Sequence, residues 1–403
     1  MHAELVERRR WISNARFLHA LNFCMLLPGP EATQLAIYVG WLLHKTKGGI
    51  VAGVFFILPS IIILWVLSLI YVQFGKVPWV DAMFFGLKPA VVAIVASALI
   101  RIGSRALTNS VMWIIAAGAF VSIYWFKVPF PVIVASAGLI GLLGGILSPT
   151  KFLVSAEKMP ASSESVLDDQ TSSPAHANPS LLGGLRVLAV SLVLWFVPLL
   201  LIVWKFGQEH TLAREGMFFS KAAMVTFGGA YAVLPYVSQE AVGSYNWLNA
   251  AQMLDGLGLA ETTPGPLIMV LQFVGFLGGW NQPGNLQPLL AATLGSAITT
   301  WTTFVPCFLW IFLGAPYIEQ LRGNARLTTA LFTVTAAVVG VILNLAVWFG
   351  IQVLFPNKTG IDVFALIVCG VSFIGLLKWS WNVIPVVFGS AICGVLYKLV
   401  FAS

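Results

Sequence analysis

The tripeptide Pro-Gly-Pro occurs twice, at positions 28–30 and 264–266, and each copy interrupts an apolar segment of membrane-spanning length. Proline has no N–H to donate to a helix and it restricts the residue before it, so each tripeptide leaves backbone groups without helical partners. Hydrocarbon cannot satisfy those groups, so the break must be buried in protein or line a wet cavity. Paired broken helices in two repeats are typical of a transporter's binding site.

The two tripeptides belong to a longer internal duplication. A shift of 236 positions aligns the copies without a gap, and it pairs Glu4 with Glu240, Trp11 with Trp247, and Leu21 with Leu257. The stretch between the halves is rich in Ser, Pro, Ala and acidic residues, which is typical of a flexible linker. We therefore predict a first transmembrane repeat at 1–148, a cytoplasmic linker at 149–183 and a second transmembrane repeat at 184–403.

Composition decides the class of protein. With 59% hydrophobic residues, 9% charged residues and a mean hydropathy of +0.90, the chain differs from soluble domains and predicts an all-α polytopic membrane protein. About ten to twelve segments have spanning length. The net charge of +7 is therefore a topology signal and does not indicate nucleic acid binding. The linker is the only soluble stretch of any length, which leaves no room for an extramembrane catalytic domain.

The positive charges of the first half indicate how its interrupted segment sits in the bilayer. If the segment 17–43 crosses, the fourteen Lys and Arg residues from Arg8 to Arg186 divide evenly between the two sides. If it is a re-entrant hairpin with the tripeptide at its tip, eleven lie with the N-terminus and only Lys76, Lys88 and Lys127 lie opposite. We therefore predict a hairpin with a cytoplasmic N-terminus. A second hairpin at 227–229 would make the two repeats inverted.

A new half-helix is predicted to begin after each tripeptide, at Glu31 and at Leu267. A helix N-terminus carries about half a positive charge and unpaired N–H donors, so two facing starts would bind an anion without a basic side chain. The alternative is a kinked helix that only packs. The occurrence of the motif in both halves favours the binding site.

Two carboxylates flank the breaks, Glu31 after the first and Glu261 before the second. A carboxylate inside the membrane usually marks an ion path or a proton relay, but each could equally cap the loose amides of its own break. A glycine-broken patch near 227–229 adds Lys221, which could contact an anion or extend to the interface. The candidate substrate-binding residues are Pro28, Gly29, Pro30, Glu31, Gln34, Lys221, Phe227, Gly228, Gly229, Glu261, Thr262, Thr263, Pro264, Gly265 and Pro266.

No pattern in the chain predicts a metal site, a cofactor site or catalytic residues. The five histidines have no HExxH or other ligand spacing, and the four cysteines stand singly in apolar segments. A membrane-embedded enzyme would need a nucleophile, a metal set or an acid and base pair near the breaks, and only the two carboxylates are there. We therefore predict a transporter and not an enzyme.

The motifs together resemble the chromate ion transporter family in its two-repeat form. They are Leu27-Pro28-Gly29-Pro30-Glu31-Ala32, Phe227-Gly228-Gly229, Glu261-Thr262-Thr263-Pro264-Gly265-Pro266 and Phe55-Phe56-Ile57-Leu58-Pro59-Ser60. The resemblance implies a multi-pass protein of the cytoplasmic membrane that exports chromate, a sulfate-shaped dianion, and confers chromate resistance. Sulfate or another oxyanion is the alternative substrate. The lipid bilayer is the expected surrounding, no nucleic acid partner is expected, and a homo-oligomer stays open.

One feature of the family has no counterpart here. Members of the family carry a Phe-Gly-Gly segment before the first Pro-Gly-Pro as well, and the 236-residue shift places Met1 on Val237, so this segment would precede Met1. We therefore expect either a start upstream of this Met or an N-terminally incomplete first repeat.

Overall fold

The computed structural model describes residues 1–148, 180–227, 229–317, 325–356 and 360–401. In this part of the chain, fourteen α-helices are joined by short connections. They are α1 Asn14–Leu26, α2 Glu31–Phe74, α3 Pro78–Ala106, α4 Ser110–Tyr124, α5 Phe130–Leu147, α6 Leu181–Phe206, α7 Thr211–Val225, α8 Ala230–Gln239, α9 Ala250–Thr262, α10 Val270–Asn281, α11 Pro288–Gly314, α12 Ala325–Leu354, α13 Val363–Lys378 and α14 Val383–Phe401.

Among the described helices, seven are long and apolar enough to cross a membrane, namely α2, α3, α5, α6, α11, the part of α12 from Phe332 to Leu354, and α14. Their outer faces carry exposed large apolar side chains, such as Leu200 and Trp204 on α6. Such continuous apolar exposure suits lipid and not water. The prediction of an all-α polytopic membrane protein is confirmed. Most of the predicted linker, up to residue 179, lies outside the described residues, and α6 begins at Leu181.

Both Pro-Gly-Pro tripeptides interrupt the helices with the same backbone geometry. Gly29 has a φ of +125° and Gly265 a φ of +129°, a region that only glycine adopts readily. The residues two positions before them also match, since Leu27 has φ −89° and ψ 145° and Thr263 has φ −90° and ψ 142°. The helix after the first break begins at Glu31, as predicted, and the second break is followed by a 3-10 turn at Leu267–Met269.

The correspondence extends upstream of the breaks. A π-helical turn occurs at Ala3–Arg8 and again at Glu240–Ser244, and each is followed by a residue with positive φ, Arg10 (49°) and Asn246 (52°). The next helix is then capped at equivalent positions, because the side chains of Ser13 and Asn249 accept hydrogen bonds from backbone N–H groups of α1 and α9. Residues with the 236-position relation thus have related backbone conformations.

Several helices fold back on their neighbours as hairpins. Helix α2 turns sharply at His44 and Lys45, and its two arms pack so closely that a Cβ on Gly40 would meet Ala52 at 2.6 Å. The α7 and α8 helices pack side by side through Phe218 and Tyr236, whose rings lie 5.2 Å apart. The turn of α2 is exposed at His44 and Lys45, whereas the break between α7 and α8 is hydrogen-bonded to the first tripeptide inside the bundle.

The two halves of the chain exchange packing partners. Helix α3 of the first half packs on α13 and α14 of the second, while α12 of the second half packs on α4 and α5 of the first. Glycines permit the close approach, since a Cβ on Gly86 of α3 would lie 2.7 Å from the Cα of Gly394 in α14. This reciprocal packing encloses the broken helices between the two halves.

Candidate functional site at the helix breaks

The first tripeptide contacts the break between α7 and α8. The Gly29 N–H donates a hydrogen bond of 2.7 Å to the carbonyl oxygen of Thr226. The Glu31 carboxylate lies beside Gly229, because a Cβ built on that glycine would be 3.8 Å from Glu31 Oε1. Two non-helical segments from different halves therefore satisfy and surround each other, which is how broken backbone is tolerated inside a membrane bundle.

Gln34 supports the first break from within α2. Its Nε2 donates a hydrogen bond of 2.8 Å to the carbonyl oxygen of Pro28, which cannot find a partner in the interrupted helix. The Gln34 side chain is fully buried. Its amide therefore holds the break in shape, and whether it also contacts a substrate stays a prediction.

The second tripeptide is held by α2 and approached by α8. The Ser60 hydroxyl donates to the carbonyl oxygen of Pro264. The Tyr231 hydroxyl, two residues beyond Gly229, donates a hydrogen bond of 2.5 Å to Glu261 Oε1. The start of α8 thus lies between the two carboxylates, with Glu31 next to Gly229 and Glu261 bonded to Tyr231. Both carboxylates are partly accessible.

Three helix starts meet at this place. They are the first turn of α2 at Glu31, the first turn of α8 at Ala230 and the 3-10 turn at Leu267. Each contributes partial positive charge from its N–H groups. Arg101 of α3 lies close enough to Tyr231 and Glu261 to interact electrostatically with both. The sequence interpretation included only two of these starts and used Arg101 only for topology.

Other predicted residues have different surroundings. Lys221 is exposed on the outer face of α7 together with Met224, because helical spacing directs it away from buried Ala222 and Ala223. This placement favours the alternative in which Lys221 extends to the interface over a contact with an anion at the breaks. The hydroxyls of Thr262 and Thr263 donate to carbonyls one turn back, at 2.7 Å and 2.8 Å, so their protons are already used. Phe227 is partly buried, and Gly228 lies outside the described residues.

A buried ion pair lies between three helices, and the sequence interpretation did not include it. Lys88 Nζ of α3 is 3.6 Å from Asp255 Oδ1 of α9, and the Tyr71 hydroxyl of α2 donates a hydrogen bond of 3.0 Å to Asp255 Oδ2. Asp255 is the only acidic residue in α9 before Glu261, within an apolar segment. That isolation was a signal available in the sequence, since carboxylates inside membrane segments need partners.

Comparisons with known proteins identify relatives along nearly the whole chain. The family described as Chromate transporter matches residues 1–142 and 215–395. A chromate transport protein of Cupriavidus metallidurans is 29% identical, over 98% of this chain and 86% of its own length. One of Pseudomonas aeruginosa is 31% identical over the same shares. A probable chromate transport protein of Synechococcus elongatus is 28% identical, over 89% of this chain and 80% of its own length. No solved structure matches.

Proposed function

This chain belongs to the chromate transporter family, and we propose that it is a secondary transporter that exports chromate across the cytoplasmic membrane and so confers chromate resistance. The names of the relatives indicate transport and not catalysis. Sulfate or another oxyanion is the second candidate substrate, because a tetrahedral dianion of similar shape would meet the same groups.

The observation that carries the proposal is the convergence of three helix breaks around the start of α8. The Gly29 to Thr226 bond and the Tyr231 to Glu261 bond join the two tripeptides through a single segment. Three helix starts and Arg101 supply positive potential there. An oxyanion would bind to backbone N–H groups at these starts, with Gln34 and Ser60 holding the breaks in shape.

The orientation we propose brings the two tripeptides in from opposite faces of the membrane. Ser60, which bonds Pro264, lies at the centre of the α2 arm from 46 to 74. The second tripeptide would therefore lie near mid-depth. The N-terminus and residues 148 to 180 would be cytoplasmic, as the bias of Lys and Arg indicates. Rocking of one repeat against the other would then expose the site to alternate sides.

Export of a dianion needs no co-substrate in principle. Moving two negative charges out of an inside-negative cell releases about 4.6 kcal/mol at 100 mV, at about 2.3 kcal/mol per charge. That free energy corresponds to a gradient of a little over a thousandfold. Membrane potential alone would therefore suffice for resistance.

Flux measurements test the proposal. Inside-out vesicles from cells that express the chain should take up radiolabelled chromate, and an imposed lumen-positive potential should increase the uptake. Parallel uptake of sulfate decides between the two substrates. A Gly29→Val variant serves as the inactive control, because φ of +125° and the nearby Gln34 side chain exclude a β-branched residue. Absence of potential-dependent flux of either anion would refute the proposal.

The two carboxylates at the breaks have two candidate roles, and substitutions separate them. A cap needs only an acceptor, which Gln retains, whereas a proton relay needs an ionisable group. We expect Glu261→Gln to keep transport, because Gln still accepts from the Tyr231 hydroxyl, and Glu261→Ala to lose it. The substitutions Glu31→Gln and Glu31→Ala test the first break in the same way. Loss of transport in both Gln variants would favour the relay instead.

A further inference from the structure

Glu215 of α7 is a fully buried carboxylate without a hydrogen-bond partner. Its exposed fraction is 0%, and neither Oε1 nor Oε2 has a partner among the described residues. The carboxylate lies between two glycines of neighbouring helices, Gly278 of α10 and Gly295 of α11, and a Cβ on Gly295 would be 2.7 Å from Oε2. The space for this carboxylate therefore depends on glycine at both positions.

The surroundings of Glu215 provide no counter-charge. Among the described residues, no charged side chain forms an ion pair or a hydrogen bond with its carboxylate. Of the helices packed on α7, α10 has no titratable residue and α11 has only Cys307. The remaining titratable groups are Arg186 and Lys205 near the ends of α6, Tyr231 and Tyr236 on α8, Tyr245 beside Phe218, and Arg214, Lys221 and nearby Glu209 and His210 on or before α7.

An unpaired carboxylate in such surroundings is neutral, because the ionised form would have lost water without gaining a partner. Arg214 does not compensate it, since that guanidinium pairs with Glu209. Glu215 therefore holds a proton in the conformation seen here. It can release that proton only if the helices around it move apart or a partner reaches it.

Glu215 also lies near one end of the bundle, and a row of polar side chains on α11 begins beside it. It is about one turn inside Thr211, whose hydroxyl bonds the carbonyl oxygen of Gln282. Buried Trp247 packs on the same Gly278. On α11, Thr299, Thr303 and Cys307 follow Gly295 at four-residue steps, and Cys307 lies beside Gly29.

These residues of α11 connect the surroundings of Glu215 to the first Pro-Gly-Pro break. Twelve residues along α11 correspond to about 18 Å at 1.5 Å per residue. The Thr299 hydroxyl oxygen is buried and has no hydrogen-bond partner among the described residues, so it is free to take part in proton transfer. The Thr303 hydroxyl and the Cys307 thiol donate to carbonyl oxygens one turn back, so Thr299 carries the hydroxyl of this row that is not already used. An ionisable carboxylate inside a membrane bundle usually marks an ion path or a proton relay.

We propose that Glu215 is a proton-binding site that couples oxyanion transport to proton movement in the opposite direction. The inference rests on the proposed function. A proton would bind at Glu215 from the end of the bundle next to Thr211, which the proposed orientation places outside. The proton would bind after the oxyanion has left to the outside, and it would be released inward once the helices rearrange, before the next oxyanion binds at the breaks. Potential would still drive export, and the proton would add the pH gradient to it.

The test is the steady-state chromate accumulation in inside-out vesicles, with the potential clamped to zero and both compartments alkaline enough to keep chromate a dianion. One coupled proton predicts that a lumen one pH unit more acidic raises the accumulation ratio by about tenfold. Glu215→Gln, which has the same shape but cannot ionise, should lose this dependence. Glu215→Asp should keep it. Glu240→Gln is the matched control, because Glu240 lies just after α8, is partly exposed and forms no ion pair among the described residues, so its loss frees no charged group beside Glu215.

Chromate counterflow without any gradient separates the two hypotheses. Wild-type vesicles without counterflow would refute the proposed function itself. Counterflow with no effect of the pH gradient in wild type would overturn only the role of Glu215. A Glu215→Gln variant that still shows the full tenfold effect of the pH gradient would overturn that role as well. If Glu215→Gln loses counterflow while Glu215→Asp responds to pH as wild type does, the proton site stands. If both variants lose counterflow, Glu215 is structural and the inference is wrong.

Discussion

The ion pair between Lys88 and Asp255 allows a quantitative prediction about stability. It joins α3 to α9, and the carboxylate is only 5% exposed whereas the Lys88 side chain is 24% exposed. In Lys88→Met the apolar stem is kept and the ammonium is removed. Removing one partner of a buried pair costs about 3–5 kcal/mol, because a buried charge is left without compensation. We expect the lower end of that range, because the Tyr71 hydroxyl still donates to Asp255.

Removing the carboxylate instead of the ammonium should lower the free energy of unfolding by less. In Asp255→Asn the Lys88 ammonium stays charged, but it can move towards water along its flexible stem. The expected loss is about 1–3 kcal/mol, the range for one buried group left unsatisfied. The double variant Lys88→Met with Asp255→Asn carries no buried charge, and Asn can still accept from Tyr71. It should lie within about 1 kcal/mol of wild type.

Thermal unfolding of the purified protein in detergent measures these differences, and its fifteen tryptophans supply the signal. Lys221→Met is the control, because this lysine is exposed on the outer face of α7 and should not change the unfolding midpoint. The double-mutant cycle should give a coupling of at least about 2 kcal/mol. If Lys88→Met unfolds at the wild-type midpoint, or if the double variant loses the sum of both single losses, the pair does not stabilise the bundle.

Three further predictions concern the breaks and their orientation. Gly265→Ala should cost about 1–3 kcal/mol, because its φ of +129° is strained for alanine and its Cβ would collide with the Ser60 hydroxyl. Gly243→Ala, with open space around it, should be tolerated in the same unfolding assay, and equal losses would contradict the argument. Tyr231→Phe should lower the free energy of unfolding by about 1.5–3 kcal/mol, because Glu261 loses its donor; a wild-type midpoint would argue against that bond. Single cysteines at exposed Arg10 and Lys47, in a cysteine-free background, should both react with an impermeant label from the cytoplasmic side; labelling from opposite sides would rule out the proposed hairpin.

Local chemistry explains what could be predicted from the sequence. A proline removes a donor and a glycine permits positive φ wherever they stand, so both breaks and the helix start at Glu31 followed from the residue types alone. The 236-position shift indicated related backbone in both halves, because the residues that recur at equivalent positions, above all Pro-Gly-Pro, impose the same local constraints. Hydropathy predicted a polytopic membrane protein for the same reason, since burial in lipid is a sum over residues.

Contacts between distant segments could not be predicted in this way. That Gly29 bonds Thr226, that Tyr231 reaches Glu261, and that Lys221 faces outward all depend on which helices pack together and how each is rotated. The same holds for the partners of Asp255 and for the lack, in the described part of the chain, of any partner at Glu215. Periodicity along one helix does not determine these features, because rotation about the helix axis is set by packing against its neighbours. The sequence alone therefore determined where the backbone breaks, and only the tertiary structure decided which charged groups meet there and which remain alone.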